Sequence, residues 1–192
     1  MMTVEEHKAR DARSKKLLLV FAMLSILMLF AGLTSAYVVS KSRRDWQSNY
    51  QMPQAFWWST IIIILCSVGF IFAKRAIKQN NYKQTSLFLG LVFVLSIAFV
   101  YSQYIGFETL FKNHLYPVGG AGSISISYLY IIVLAHMAHL VGGLIALLII
   151  IYNHYKQKYN SHNFTGIELG GMYWHFLDAL WIYLFLFLYF FK

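Results

Sequence analysis

The sequence is short of three things: it has one cysteine, two prolines and seven acidic residues among its 192. The lone cysteine, Cys66, excludes an intrachain disulfide and any zinc or iron–sulfur site built on several thiolates. With proline only at positions 53 and 117, long stretches of chain carry nothing that breaks a helix. Charged residues make up 12 % of the chain, where ordinary soluble domains carry about 25 %. Most of this chain therefore does not face water.

What fills the space is apolar. Hydrophobic residues account for 59 % of the sequence and aromatics for 18 %, with a mean hydropathy of +0.56. A transmembrane helix needs about 20 mostly apolar residues, and five stretches qualify: 17–40, 55–73, 86–107, 126–152 and 171–191. Helices are the natural form, because strands that are not closed into a barrel leave backbone groups unpaired in hydrocarbon. The expectation is an all-α, polytopic membrane protein, a bundle of five transmembrane helices. Residues 1–16 form a charged arm, and residues 17–192 a single transmembrane domain.

The net charge of +9 does not point to nucleic acid, since the basic residues sit in connections beside apolar spans. Summed over alternate connections, eleven Lys and Arg fall on one side and five on the other. By the positive-inside rule the N-terminus is cytoplasmic and the C-terminus outside. The first stretch has basic flanks and small residues at Thr34 and Ala36, as a signal peptide would. Its apolar run exceeds the roughly 7–15 residues of a signal core, which favours a retained span. The glycine-rich segment 116–125 lacks the Gly-Lys-Ser/Thr ending of a phosphate loop. Asn163-Phe164-Thr165 fits a glycosylation sequon but falls on the expected cytoplasmic side.

The chemistry lies in the few polar groups inside the spans, which are costly there and face protein, a cavity or a partner. These are Gln103 in the third span, His136 and His139 in the fourth, and His175 and Asp178 in the fifth, with Glu168 just ahead of it. Residues three and four apart share a helix face, so His175 neighbours Asp178, and Trp174, Asp178 and Trp181 form one stripe. His136, His139 and Gly143 form another, where glycine lets a second helix approach closely. The expected arrangement turns both stripes toward protein, with their polar groups hydrogen-bonded.

Three other roles compete. Haem ligation needs an imidazole on the iron face, and two histidines on adjacent turns of one helix cannot clamp opposite faces. A cross-helix pair such as His139 with His175 remains open, which would make the chain a small haem-binding membrane cytochrome. A proton relay needs members in hydrogen-bond reach. At 1.5 Å per residue Asp178 lies roughly 10 Å from the cytoplasmic end of its span and His139 roughly 20 Å. A transporter would show a broken-helix pair or an internal repeat, and neither is present.

These residues also carry a resemblance. Tyr173-Trp174-His175-Phe176-Leu177-Asp178 followed by Trp181 resembles the YWHFVD–W signature of cytochrome c oxidase subunit III, which opens the last helix of that family. Glu168, five residues earlier, falls where the family has a glutamate. AHMAHLVGG, with His136, His139 and Gly143, resembles the family's GFHGLHVIIG; FAGLTSAYVVS is similar to FAGLFSAY; Gln103 fits the glutamine of the third span. Two departures stand out. Mitochondrial-type members have seven helices, and this chain resembles the five-helix bacterial form. The family also has a glutamate after the serine of its SE-x-M-x-F motif, where this chain has Ile26 after Ser25.

The resemblance implies a non-catalytic subunit of a proton-pumping haem–copper terminal oxidase in the bacterial cytoplasmic membrane. On that footing there is no redox centre or metal here, and haem and copper belong to partner subunits. Subunit I is a direct contact, subunit II completes the complex, and phospholipid is bound. No residue is catalytic in its own right.

Overall fold

A computed structural model describes residues 4–47, 50–118, 123–161 and 163–191, and the description below concerns these. Five long helices follow one another: α1 (Val4–Val39), α2 (Gln54–Lys78), α3 (Tyr82–Lys112), α4 (Ile124–Tyr155) and α5 (Thr165–Phe190). A short 3₁₀ turn, Ser40–Ser42, continues α1. There is no strand among the described residues, and all five helices are long and apolar enough to cross a membrane. The all-α, five-span architecture expected from the sequence is the one observed. Three glycines of the segment 116–125, Gly119, Gly120 and Gly122, lie outside the described residues.

The helices overrun the hydropathy-bounded stretches at most ends. α2 continues through Lys74, Arg75 and Lys78, and α3 through Glu108 and Lys112. Lys, Arg and Glu are good helix formers, so charge ends the apolar run before it ends the helix. The actual stop signals are backbone ones. Asn80, His114 and Gln157 take φ of 55°, 58° and 54° after α2, α3 and α4. At each stop two amides turn back on the last helical carbonyls. After α2, Asn81 N–H donates to Ala76 O at 3.0 Å and Asn80 N–H to Ile77 O at 3.0 Å. After α3 and α4, Leu115 donates to Leu110 O and Lys158 to Asn153 O, both at 3.1 Å. This is the Schellman closure, built here three times without glycine.

α5 is the centre of the bundle. Of its most apolar stretch 56 % is buried inside the protein, against 11 % for α1. α2 and α3 form the tightest pair, joined by the three-residue link Gln79, Asn80 and Asn81; α5 packs on α2, α4 and α1, and α4 closes the ring against α3. α1 rests in the groove between α4 and α5, holding through Phe30, Thr34 and Tyr37. At that end the chain between α1 and α2 folds back on the bundle. Tyr50 is 4 % exposed there; burial, and then the neighbouring Tyr37, push its phenol above the ordinary value.

Candidate functional site: a polar seam between α2 and α5

α2 and α5 run antiparallel, and polar side chains meet across them at regular intervals. Glu168, in the first turn of α5, accepts from Lys74 Nζ at 3.1 Å, with both side chains about one-third exposed. Seven residues along, His175 Nδ1 is hydrogen-bonded to the Ser67 hydroxyl at 2.5 Å. Further on, Trp181 donates from Nε1 to Thr60 Oγ1 at 3.1 Å. On α2 the partners Thr60, Ser67 and Lys74 are spaced by seven, about 10.5 Å per interval at helical rise. Two turns return a side chain nearly to the same face, so one register serves all three bonds.

Asp178 sits inside this seam. It is 3 % exposed, and neither carboxylate oxygen has a hydrogen-bond partner among the described residues. Ser67 lies close to it, but the bond that Ser67 makes is with His175. The sequence places His175 and Asp178 on one face; the structure gives His175 its partner on α2 and leaves Asp178 without one among the described residues. The tryptophans that frame Asp178 are buried, and Trp174 stacks on Phe70 with ring centroids 5.9 Å apart.

The α4 residues form a different contact. His136 is fully buried and its two ring nitrogens have no hydrogen-bond partner among the described residues. Its ring lies 5.2 Å from that of Trp181, 6.1 Å from Phe99 and 6.5 Å from Phe30. His139 donates from Nδ1 to Ala135 O at 2.7 Å, its own preceding turn, and its ring is 5.7 Å from that of Phe30 on α1. Gly143 lies where α4 meets α5: a Cβ there would come within 3.3 Å of both Leu177 and Tyr173. Tyr173 donates its hydroxyl to His139 O at 3.0 Å. Gln103 is buried on α3, and both its amide atoms lack a partner among the described residues. His139, His175, Glu168 and Trp181 thus make side-chain hydrogen bonds, whereas Asp178, His136, Gln103 and Trp174 hold buried polar atoms with no partner among the described residues. For His136 the surroundings are the reason: the rings of Phe30, Phe99 and Trp181 fill the space that a donor or acceptor would need.

His139 and His175 take their partners from different helices, α1 and α5 for the first and α2 for the second. No three histidine, cysteine or carboxylate side chains come together as a metal-ligand group among the described residues. Ile26 is half-buried and packs against the core, while Ser25 faces outward and donates to Phe21 O at 3.1 Å. The aliphatic side chain therefore occupies a packing position on α1.

Sequence reasoning missed the α2 half of the seam. Serine and threonine are unremarkable in an apolar span, because each can bond to its own preceding turn. The signal was their seven-residue spacing with Lys74, opposite the Glu168–His175 spacing of seven on α5.

A family model described as cytochrome c oxidase subunit III matches residues 49–192. Over 129 residues the chain is 29 % identical to cytochrome c oxidase subunit 3 of Alkalihalophilus pseudofirmus, covering 66 % of this chain and 60 % of that protein. The match thus takes in less than two thirds of that relative. Against the subunit 3 of Bacillus sp. (strain PS3) identity is 25 % over 163 residues, covering 82 % of this chain and 76 % of the relative. Against that of Spodoptera frugiperda it is 32 % over 132 residues, covering 68 % and 85 %.

Proposed function

The chain belongs to the cytochrome c oxidase subunit III family, and from that premise we propose that it is the non-catalytic third subunit of a haem–copper terminal oxidase. The observation that carries this is the family match over residues 49–192, which spans the α2–α5 core and includes both stripes and the buried seam. In this reading oxygen is reduced to water on haem and copper held by partner subunits. The chain contacts subunit I directly, and subunit II completes the complex. The protein contributes a rigid helical wall, bound phospholipid and support for proton uptake.

The polar groups then have mechanical work. The Lys74–Glu168, Ser67–His175 and Thr60–Trp181 bonds fix the register of α2 on α5. Side-chain bonds between helices in a membrane are worth about 0.6 kcal/mol on average, so three set alignment more than stability. The wide lipid- and partner-facing surface is apolar, as on α1.

A small haem-binding cytochrome is not favoured, because the two candidate histidines face different neighbours. One experiment separates the two functions. The tagged chain, drawn gently from its native membrane, is expected to bring down haem-bearing oxidase subunits. Expressed alone, it is expected to show no Soret band. Stoichiometric haem on the isolated chain, lost in His139→Ala, would establish the cytochrome instead.

The membrane is the bacterial cytoplasmic one, with the N-terminus on the cytoplasmic side. Support comes from the eleven-to-five asymmetry of Lys and Arg. In a Cys66→Ala background, Asn113→Cys is expected to react with an impermeant maleimide added to intact cells, and Ser161→Cys to react only after lysis. The reverse pattern would invert the topology.

A further inference from the structure

On the side of the bundle where α1 and α3 end, the charged side chains among the described residues are Lys41, Arg43, Arg44, Asp45, Glu108 and Lys112. Arg43 is paired with Asp45 at 3.4 Å, and Lys112 with Glu108 at 2.6 Å. Lys41 and Arg44 are exposed and make no ion pair among the described residues. The positive surplus of this side therefore lies in one stretch, directly after α1.

Cations that follow a helix C-terminus have an ordinary explanation in the macrodipole. It does not explain why the chain that carries them is pinned. Ser123 donates its hydroxyl to Asp45 O at 3.1 Å, and Ser125 to Gln47 O at 2.8 Å. The Gln47 amide in turn donates to Ser123 Oγ at 3.2 Å. Both serines are buried at the start of α4. Trp46 is held edge-on to Tyr37, with ring centroids 4.7 Å apart. A loop ordered in advance loses little freedom when something binds to it.

Beside this loop opens a cavity of about 330 Å³, lined by Gln47, Tyr50, Gln51, Asn113 and Leu115. Three of the five are carboxamides, each with two N–H donors and a carbonyl acceptor and no charge. A lining of that kind matches a peptide backbone, which offers N–H and C=O groups in alternation. It offers little to an acyl chain.

We propose that this loop and cavity dock an extended acidic segment of a partner protein's extramembrane domain. Its backbone lies against Gln47, Gln51 and Asn113, and its carboxylates reach Lys41 and Arg44. Charges at the rim of an interface steer encounter and fix register. An anionic lipid headgroup would use the two cations, but Asp45 would repel it and the carboxamides would gain nothing. The inference rests on the proposed function only in placing the partner within the oxidase complex, on the outer side.

The test uses the complex drawn with the full tagged chain from its native membrane. A carbodiimide joins a lysine amine to a carboxylate that touches it. In the parent it is expected to join Lys41 to an Asp or Glu of another chain, identified by mass spectrometry. The charge-reversed pair Lys41→Glu, Arg44→Glu is expected to retain roughly tenfold less of that chain at low salt, since rim charge acts through a screened attraction. Gln47→Ala with Asn113→Ala should lower retention at low and high salt alike. The swapped pair Lys41→Arg, Arg44→Lys should keep the partner and move the cross-link to position 44, which also shows that the loop is intact. Cross-links from Lys41 that stay within this chain, or none at all, would overturn the proposal. Unchanged retention in the charge-reversed pair would overturn it too. Loss of bound phosphatidylglycerol in that pair, with the partner still retained, would assign the cations to lipid headgroups instead. A cross-linked partner in a complex that carries no haem would count against the oxidase role alone.

Discussion

Gly106→Leu is expected to leave little folded protein in detergent, and Gly106→Ala to lower the unfolding temperature measurably. A Cβ at this position on α3 would lie 2.3 Å from Cε1 of Phe56, 2.9 Å from Cδ1 and 3.0 Å from Cζ. These lie well inside the roughly 3.5–4.0 Å of carbon–carbon contact, so the ring must move. It has nowhere to go: Phe56 is 1 % exposed, edge-on to Trp181 at 5.9 Å and to Phe107 at 6.4 Å. Trp181 in turn holds Thr60 and the His136 ring. One added methyl group therefore pushes on α2, α4 and α5 together. Overpacking of this kind costs about 1–3 kcal/mol, and leucine adds three further carbons to the same clash. Gly90, on the same helix, is the control. Nothing lies within 4 Å of a Cβ there, so Gly90→Ala should be neutral or gain up to about 1 kcal/mol in helix propensity. Fluorescence-monitored melting of the three variants decides it. A Gly106→Leu protein that melts with the parent would mean that α2 and α3 do not approach as described.

The same crowding shows what could be read from the sequence and what could not. The five spans were legible because the bilayer fixes the length of an apolar helix. Where the helices end was not, since Lys74, Arg75, Lys78, Glu108 and Lys112 are charged yet helical. The closures at Asn80, His114 and Gln157 rest on a left-handed residue. For His and Gln this gives no sequence signal of the kind that Gly does. The α5 half of the seam was legible, because an acid and a histidine are conspicuous in lipid. Its α2 half was not, because Ser67 and Thr60 become informative only once α2 and α5 are set in register. The same holds for the orphaned side chains. That His136 is boxed by Phe30, Phe99 and Trp181 depends on three other helices, and no spacing along α4 encodes them.

Asp178→Leu is expected to stabilise the bundle, not weaken it. The carboxyl is 3 % exposed with both oxygens unpartnered among the described residues, so the fold carries its desolvation without the hydrogen bonds that would offset it. Leaving a buried polar group unsatisfied costs about 1–3 kcal/mol, and an apolar replacement of similar shape removes that cost. Asp178→Asn keeps the shape and puts an unpaired amide in the same surround, so it should melt near the parent. The ordering Leu above parent, with Asn close to parent, is the reverse of what a hydrogen-bonded structural acid would give. A fall in the melting temperature of Asp178→Leu would show that Ser67, which lies close by, is a true partner of the carboxyl. In that case Ser67→Ala should destabilise to a similar extent, and the double variant should show strong non-additivity. A side chain that lowers the stability of its own fold is the pattern found at functional positions, where activity and stability trade against each other. Oxygen consumption separates the two contributions. Assembled complexes carrying Asp178→Leu should begin at the parent rate, since the proposed redox chemistry lies in partner subunits, and should lose activity faster during sustained turnover. An assembled Asp178→Asn complex with no initial turnover would place the acid in the catalytic path itself.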